Sequence, residues 1–109
     1  DIFEHQEDHA GEMETSLILA YRNHLVAKNE DGSLSADDGS TQPTRFEAVN
    51  NGWVGLTRQW DLLTTNSGSG YPHAASAEKG EKLMDVLVER LGSFLVELAN
   101  SPLDAKFPF

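Results

Sequence analysis

The chain contains no cysteine. Disulfides, thiolate nucleophiles and cysteine-ligated metals therefore play no part in its chemistry. That absence fits a reducing cytoplasm, which is the compartment expected. No apolar run approaches the roughly 18 residues that span a bilayer, so no membrane partner is expected. Cations are scarce. Lys and Arg number 8 against 18 Asp and Glu, for a formal net charge of −10. The few cations do not cluster, so a phosphate backbone would be repelled and a nucleic-acid partner is excluded. The first residue is Asp1 rather than Met, and the N-terminus is acidic where a signal or transit peptide would be basic. The chain reads as processed or cut from something longer.

What is present begins with acid. Asp1, Glu4, Glu7, Asp8, Glu12 and Glu14 precede the first Lys or Arg. The segment Glu7-Asp8-His9-Ala10-Gly11-Glu12-Met13-Glu14-Thr15-Ser16 concentrates carboxylates, an imidazole and hydroxyls more than any other stretch. Such a run is either a solvated acidic face or a site that holds cations or shuttles protons. A helix is expected from about Gly11 to about His24, because Met13, Leu17, Ile18, Tyr21 and Leu25 recur at helical spacing. Glu12 and Glu14 fall in its first turn, where carboxylates meet the positive end of the helix dipole.

Residues 28–44 form a long polar loop with Leu34 as its one large apolar residue, expected to be mobile or laid across a neighbouring subunit. Arg45–Val49 and Trp53–Thr57 read as short strands separated by the Asn50-Asn51-Gly52 turn. Trp53 and Trp60 are expected to pack in a core or interface. The Gly/Ser segment Thr64–His73 lacks the Lys-Ser/Thr ending of a phosphate loop and reads as a plain connection. A second helix is expected from about Ala75 to about Ala99. Ser76 caps it, and Leu83, Met84, Leu87, Leu91, Phe94, Leu95 and Leu98 form its apolar stripe. Gly80 and Gly92 each cost a helix about 1 kcal/mol relative to Ala, which points to close backbone packing at both. The tail Phe107-Pro108-Phe109 is apolar and expected to dock on another surface.

All 109 residues suit one domain. A chain this size buries roughly 60–70% of the surface its unfolded form exposes. Two strong helices and little sheet leave both apolar stripes short of cover, so another polypeptide segment is expected to complete the body.

His5 and His9 stand four apart among carboxylates, but the helix begins after them, which weakens any shared metal site. A histidine beside Asp8 and Glu14 at a loop–helix junction is the better acid/base candidate, since either carboxylate could fix its tautomer. Thr15 and Ser16 lie in the first helical turns, where hydroxyls bond backbone.

The segment Asp8-His9-Ala10-Gly11-Glu12-Met13-Glu14-Thr15-Ser16 resembles the His-(Ala/Gly)-Gly-x-x-Glu-Thr-Ser motif of the creatininase (creatinine amidohydrolase) family. Ser76-Ala77-Glu78-Lys79-Gly80-Glu81 resembles that family's C-terminal segment. The resemblance covers the whole chain, but only the C-terminal half of a family member. It implies an α/β fold, with this chain the C-terminal portion of a parallel-sheet sandwich flanked by helices. It further implies hydrolysis of C–N bonds in small cyclic amides, formamides or peptide-like substrates, with one or two divalent metal ions (Zn, Mn or Fe). Homo-oligomers, often hexamers, are common in the family.

On the same resemblance, His9 is the acid/base or oxyanion partner and Asp8 its acidic neighbour. His5 and Gln6 lie where substrate is bound, and Gly11, Glu14 and Thr15 orient the motif. The family's main ligands lie in Glu-x-His and Asn-Gly-His segments that this chain lacks. They are expected in an N-terminal segment or second subunit. Creatininase proper has Trp where His5 stands and an apolar residue where Glu12 stands, so Glu12 is a candidate metal or water contact in this branch.

Overall fold

Two helices, one crossing the other's first turns, carry the architecture. A computed structural model describes all 109 residues. α1 spans Glu12–Arg22 and runs into a 3-10 turn at Asn23–Leu25. Two single-turn helices follow, α2 at Glu47–Asn50 and α3 at Trp60–Leu63. A second 3-10 turn at Pro72–Ala74 leads into α4, Ala77–Asn100. No helix is long and apolar enough to cross a membrane.

α4 begins as its sequence predicts: the Ser76 hydroxyl accepts from the Lys79 amide at 3.2 Å, satisfying one of the helix's orphan donors. The Ser16 hydroxyl in turn accepts from the Ser76 amide at 3.1 Å and donates to the Glu12 carbonyl. One buried hydroxyl thus locks the start of α4 onto the middle of α1. The helices meet closely at Gly80, where a Cβ would collide with the Ser16 carbonyl. Gly92 has nothing within 4 Å, so only the first of the two glycines is there for packing. Gly80→Ala is expected to lower stability by about 1–3 kcal/mol. The obstructing atom is backbone and cannot rotate away, and the clash outweighs the gain in helix propensity. The midpoint of a urea titration checks this.

The parallel-sheet sandwich expected from the family resemblance is not formed. The chain contains no strand, only isolated antiparallel bridges pairing His9 with Ser69, Lys28 with Leu34, Gly39 with Gly70, and Thr41 with Thr64. Between the last two bridges, residues 39–41 on one side face residues 64–70 on the other. Such unequal lengths cannot continue a ladder. The expected strand at Arg45–Val49 instead closes into α2. The Asn50 side chain accepts from the Thr44 amide at 2.7 Å and donates to the Thr44 carbonyl at 2.8 Å. At Trp53–Thr57 the amides of Trp53 and Val54 both donate to the one carbonyl of Ala48, which closes the end of α2, and without a paired ladder the segment is not a strand.

The long loop 28–44 lies against its own chain. Gly39 and Gly70 exchange both backbone hydrogen bonds at 2.9 and 3.0 Å, and the Gln42 amide donates to the Leu63 carbonyl. The tail folds back so that Phe107 and Pro108 share a small cavity with Phe94 and Leu98 of α4, while Phe109 stays fully exposed.

Leu19 is the one large apolar side chain that is buried; Leu91, Phe94 and Leu95 on α4 are all exposed. The radius of gyration is 18.8 Å, against about 13 Å for a closed domain of ~100 residues. The stripes read from the sequence are therefore real helical faces that this chain alone leaves open.

Candidate active site

The N-terminus of α1 lacks a capping side chain of its own, because Gly11 occupies the cap. Glu7 supplies it from upstream: its carboxylate accepts from the amides of Met13 at 2.6 Å and Glu14 at 3.0 Å. A negative charge here also meets the positive end of the helix dipole. Gly11 and Gly70 keep this corner small. A Cβ on Gly11 would strike Glu7, and one on Gly70 would lie 2.7 Å from the Gly11 Cα. Residues 5–10 are thereby folded back over the helix start.

His9 sits at that fold. Its amide donates to the Ser69 carbonyl at 3.2 Å and its carbonyl accepts from the Ser69 amide at 2.8 Å. Its Nδ1 lies 3.3 Å from the Glu14 carboxylate. That carboxylate also accepts from the Ala10 amide at 2.5 Å, which steadies Ala10 in a left-handed conformation with φ 53°. The contact is one of charge proximity: a carboxylate beside Nδ1 favours a proton on that nitrogen and leaves Nε2 as the ring's other, unengaged nitrogen. Trp60 meets the imidazole edge-on, with centroids 5.9 Å apart. His9 lines a cavity of about 320 Å³ with Asp37, Asn66, Ser67 and Gly68. A second, more apolar cavity of about 360 Å³ lies on the other side of Ala10 and Pro72, lined by Glu14, Thr15, Ile18 and Leu34.

The other candidates separate from one another. His5 stacks on Tyr71 with centroids 4.5 Å apart. Gln6 is exposed and makes no side-chain hydrogen bond. Asp8 contributes its backbone, donating to the Ser69 carbonyl at 2.9 Å, while its exposed carboxylate makes no hydrogen bond or ion pair. Of the two carboxylates, it is Glu14 that lies beside the His9 ring. Thr15 is half-buried at the wall of the apolar cavity.

Glu12 is fully buried. One oxygen accepts from the amides of Glu4 and His5, both at 2.9 Å, and the other meets Lys79 Nζ at 2.5 Å. Lys79 also reaches Glu4 Oε1 at 3.0 Å and the Ala74 carbonyl at 2.9 Å. Burial pushes the Glu12 carboxyl up, but the Lys79 ammonium and the two amides together outweigh it and hold it below its usual value. Lys79 is correspondingly raised, chiefly by its bonds to Glu12 and Glu4.

The donors present do not fit a metal ion. No three His, Asp or Glu side chains converge on one point, and both Glu12 oxygens are committed to protein donors. Glu12 is placed as an anchor: it ties the backbone just before His5 to both helices.

Sequence reading missed four parts of this site: Glu7, Lys79, Trp60 and the 66–70 segment. Lys79 and Gly70 carry a faint signal, a lysine in the family-like α4 segment and a glycine pair in a polar run. The Glu7 cap, six and seven residues ahead of the amides it serves, follows no local capping pattern.

The loop–helix junction thus presents an imidazole, flanked by a carboxylate, at the wall of a cavity. The creatininase family model (creatinine amidohydrolase) matches residues 1–95, and the chain belongs to this family. It is also similar to a crystal structure of a Bacteroides fragilis protein described as a creatinine amidohydrolase, at 38% identity and a TM-score of 0.77. That match covers 94% of this chain and 39% of the other, so this chain spans well under half the length of its solved relative. No curated protein matches it.

Proposed function

We propose that this chain is the histidine-bearing part of an amidohydrolase that cleaves a C–N bond in a small polar amide, cyclic amide or formamide. The observation that carries the reading is the His9–Glu14 pair, held at 3.3 Å beside a polar cavity of about 320 Å³. That volume suits a small molecule rather than a folded chain. With the Glu14 carboxylate beside Nδ1 favouring a proton there, Nε2 takes a proton from the attacking water and returns it to the leaving nitrogen. Asn66 and Ser67 offer polar groups at the same cavity wall. The divalent metal of the family, in one or two ions, is held by residues outside this chain.

The exposed stripe of α4 and the single buried leucine support completion by another polypeptide, an N-terminal segment or a second subunit of the same enzyme. The complete unit then assembles as a homo-oligomer. The test is a particle purified with this chain in it. Native mass spectrometry should show further polypeptide bound. That particle should hydrolyse a panel of creatinine, cyclic amides and formamides, losing activity to a chelator. The 109-residue chain alone should be inactive. Metal-dependent amidase activity in the isolated chain would defeat the reading.

One observation favours a second reading, a non-catalytic assembly module that keeps the motif for packing: Glu14 also accepts from the Ala10 amide. On that reading Gly11, Glu14 and Thr15 serve only the helix start.

A further inference from the structure

We propose that Trp60 is a positioning residue for His9: its ring restrains the imidazole, and its N–H pins the turn that clamps the histidine backbone. The proposal rests on the reading of His9 as the acid/base.

The Glu14 contact alone is a weak restraint. The side chains of His9 and Glu14 are 55% and 47% exposed, so water competes for both partners. Histidine has two rotatable side-chain bonds, and one half-solvated contact leaves the ring free to leave its rotamer. Trp60 supplies what is missing. Its indole meets the imidazole at 76° between ring planes, an edge-to-face arrangement that aromatic rings favour. The contact lies at the ring, where Glu14 touches only Nδ1.

The same residue acts on the backbone. Trp60 Nε1 donates to the Ser67 carbonyl at 3.1 Å. Ser67 has φ 67°, a left-handed conformation that serine adopts only when its surroundings hold it there. Two residues on, Ser69 makes the hydrogen bonds to Asp8 and His9 that fix the motif's backbone. Asn66 supports the same turn, its side chain accepting from the Gly68 amide at 3.0 Å. The backbone that carries the indole is itself tied, because the Thr64 hydroxyl donates to the Trp60 carbonyl at 3.0 Å. Ring and backbone of His9 are thus both referred to one side chain.

The experiment uses the assembled particle with Trp60→Leu, which removes both functions, and Trp60→Phe, which keeps an aromatic ring but loses the N–H. The 15N spectrum of His9 reports its tautomer, and steady-state kinetics report turnover. The wild type should show a dominant Nδ1–H tautomer. Trp60→Leu should average the tautomers and lower kcat about 10–100-fold with KM nearly unchanged, as expected when a reacting group is displaced by about 1 Å. Trp60→Phe should fall between. A His9 spectrum and kcat unmoved by Trp60→Leu in a folded particle would overturn the proposal. So would parallel loss of kcat and folded signal in both variants. If the tautomer responds to Trp60→Leu while His9→Ala leaves turnover intact, Trp60 positions His9 but the acid/base reading fails.

Discussion

Replacing His9 with alanine is expected to lower kcat of the assembled enzyme by about 10²–10⁴-fold, the usual contribution of a positioned general acid/base. The fold should not suffer. The imidazole is half exposed and its removal opens no cavity. The backbone bonds to Ser69 do not depend on the side chain, and the Ala10 amide keeps its Glu14 acceptor. Circular dichroism and native mass should therefore match the wild type while turnover collapses. Unchanged turnover in an intact particle would instead support the assembly-module reading, in which the motif serves packing alone.

Glu12→Gln is expected to cost about 1–3 kcal/mol, the range for leaving a buried hydrogen-bonding group unsatisfied, since Lys79 keeps its bonds to Glu4 and the Ala74 carbonyl. The substitution is nearly isosteric, so the loss is electrostatic. If the amide oxygen faces Lys79, the NH2 group meets the donors of Glu4 and His5; if it is flipped, the NH2 group meets Lys79. Either way a buried donor is left unsatisfied. Denaturant midpoints of the intact particle read the loss.

The same clamp sets a pH window. Glu12 is held below its usual 4.5 in the folded state, so its contribution is present above about that pH and is lost as pH falls through the lower folded value. Lys79 is raised above its usual 10.5, so its contribution is present below that pH and is lost as pH rises through the higher folded value. Stability in the wild type should fall at both ends. In Glu12→Gln the acid limb should flatten. An acid limb identical in variant and wild type would show that Glu12 does not carry it.

This anchor explains a residue that sequence reading assigned differently. Glu12 stands where the family resemblance suggested a metal or water contact. The fold turns it inward instead. Helical periodicity sets Glu12 and Ser16 on one face, and that face meets α4. A carboxylate there must find cationic and amide partners or stay protonated, and Lys79 supplies the cation from the opposite end of the chain. Glu14, two positions on, falls on the open side and reaches His9.

Sequence by itself determined the two helices, the Ser76 cap, the family motif, the lack of any thiol and the lack of a helix long and apolar enough to cross a membrane. Each rests on local pattern or composition: spacing near four, a hydroxyl before a helix, the absence of cysteine. It also showed that the apolar stripes exceed what one short chain can cover. Only the tertiary structure decided which carboxylate lies beside His9, that Glu12 is bound by Lys79 and two amides, that Gly80 rather than Gly92 touches another backbone, and that the expected strands do not pair. The physical reason is the same in each case. These features depend on partners tens of residues away, Lys79 for Glu12, Ser69 and Trp60 for His9, Ser16 for Gly80. Strands depend on a neighbour that must match in length as well as composition. Local periodicity carries no record of such distant partners.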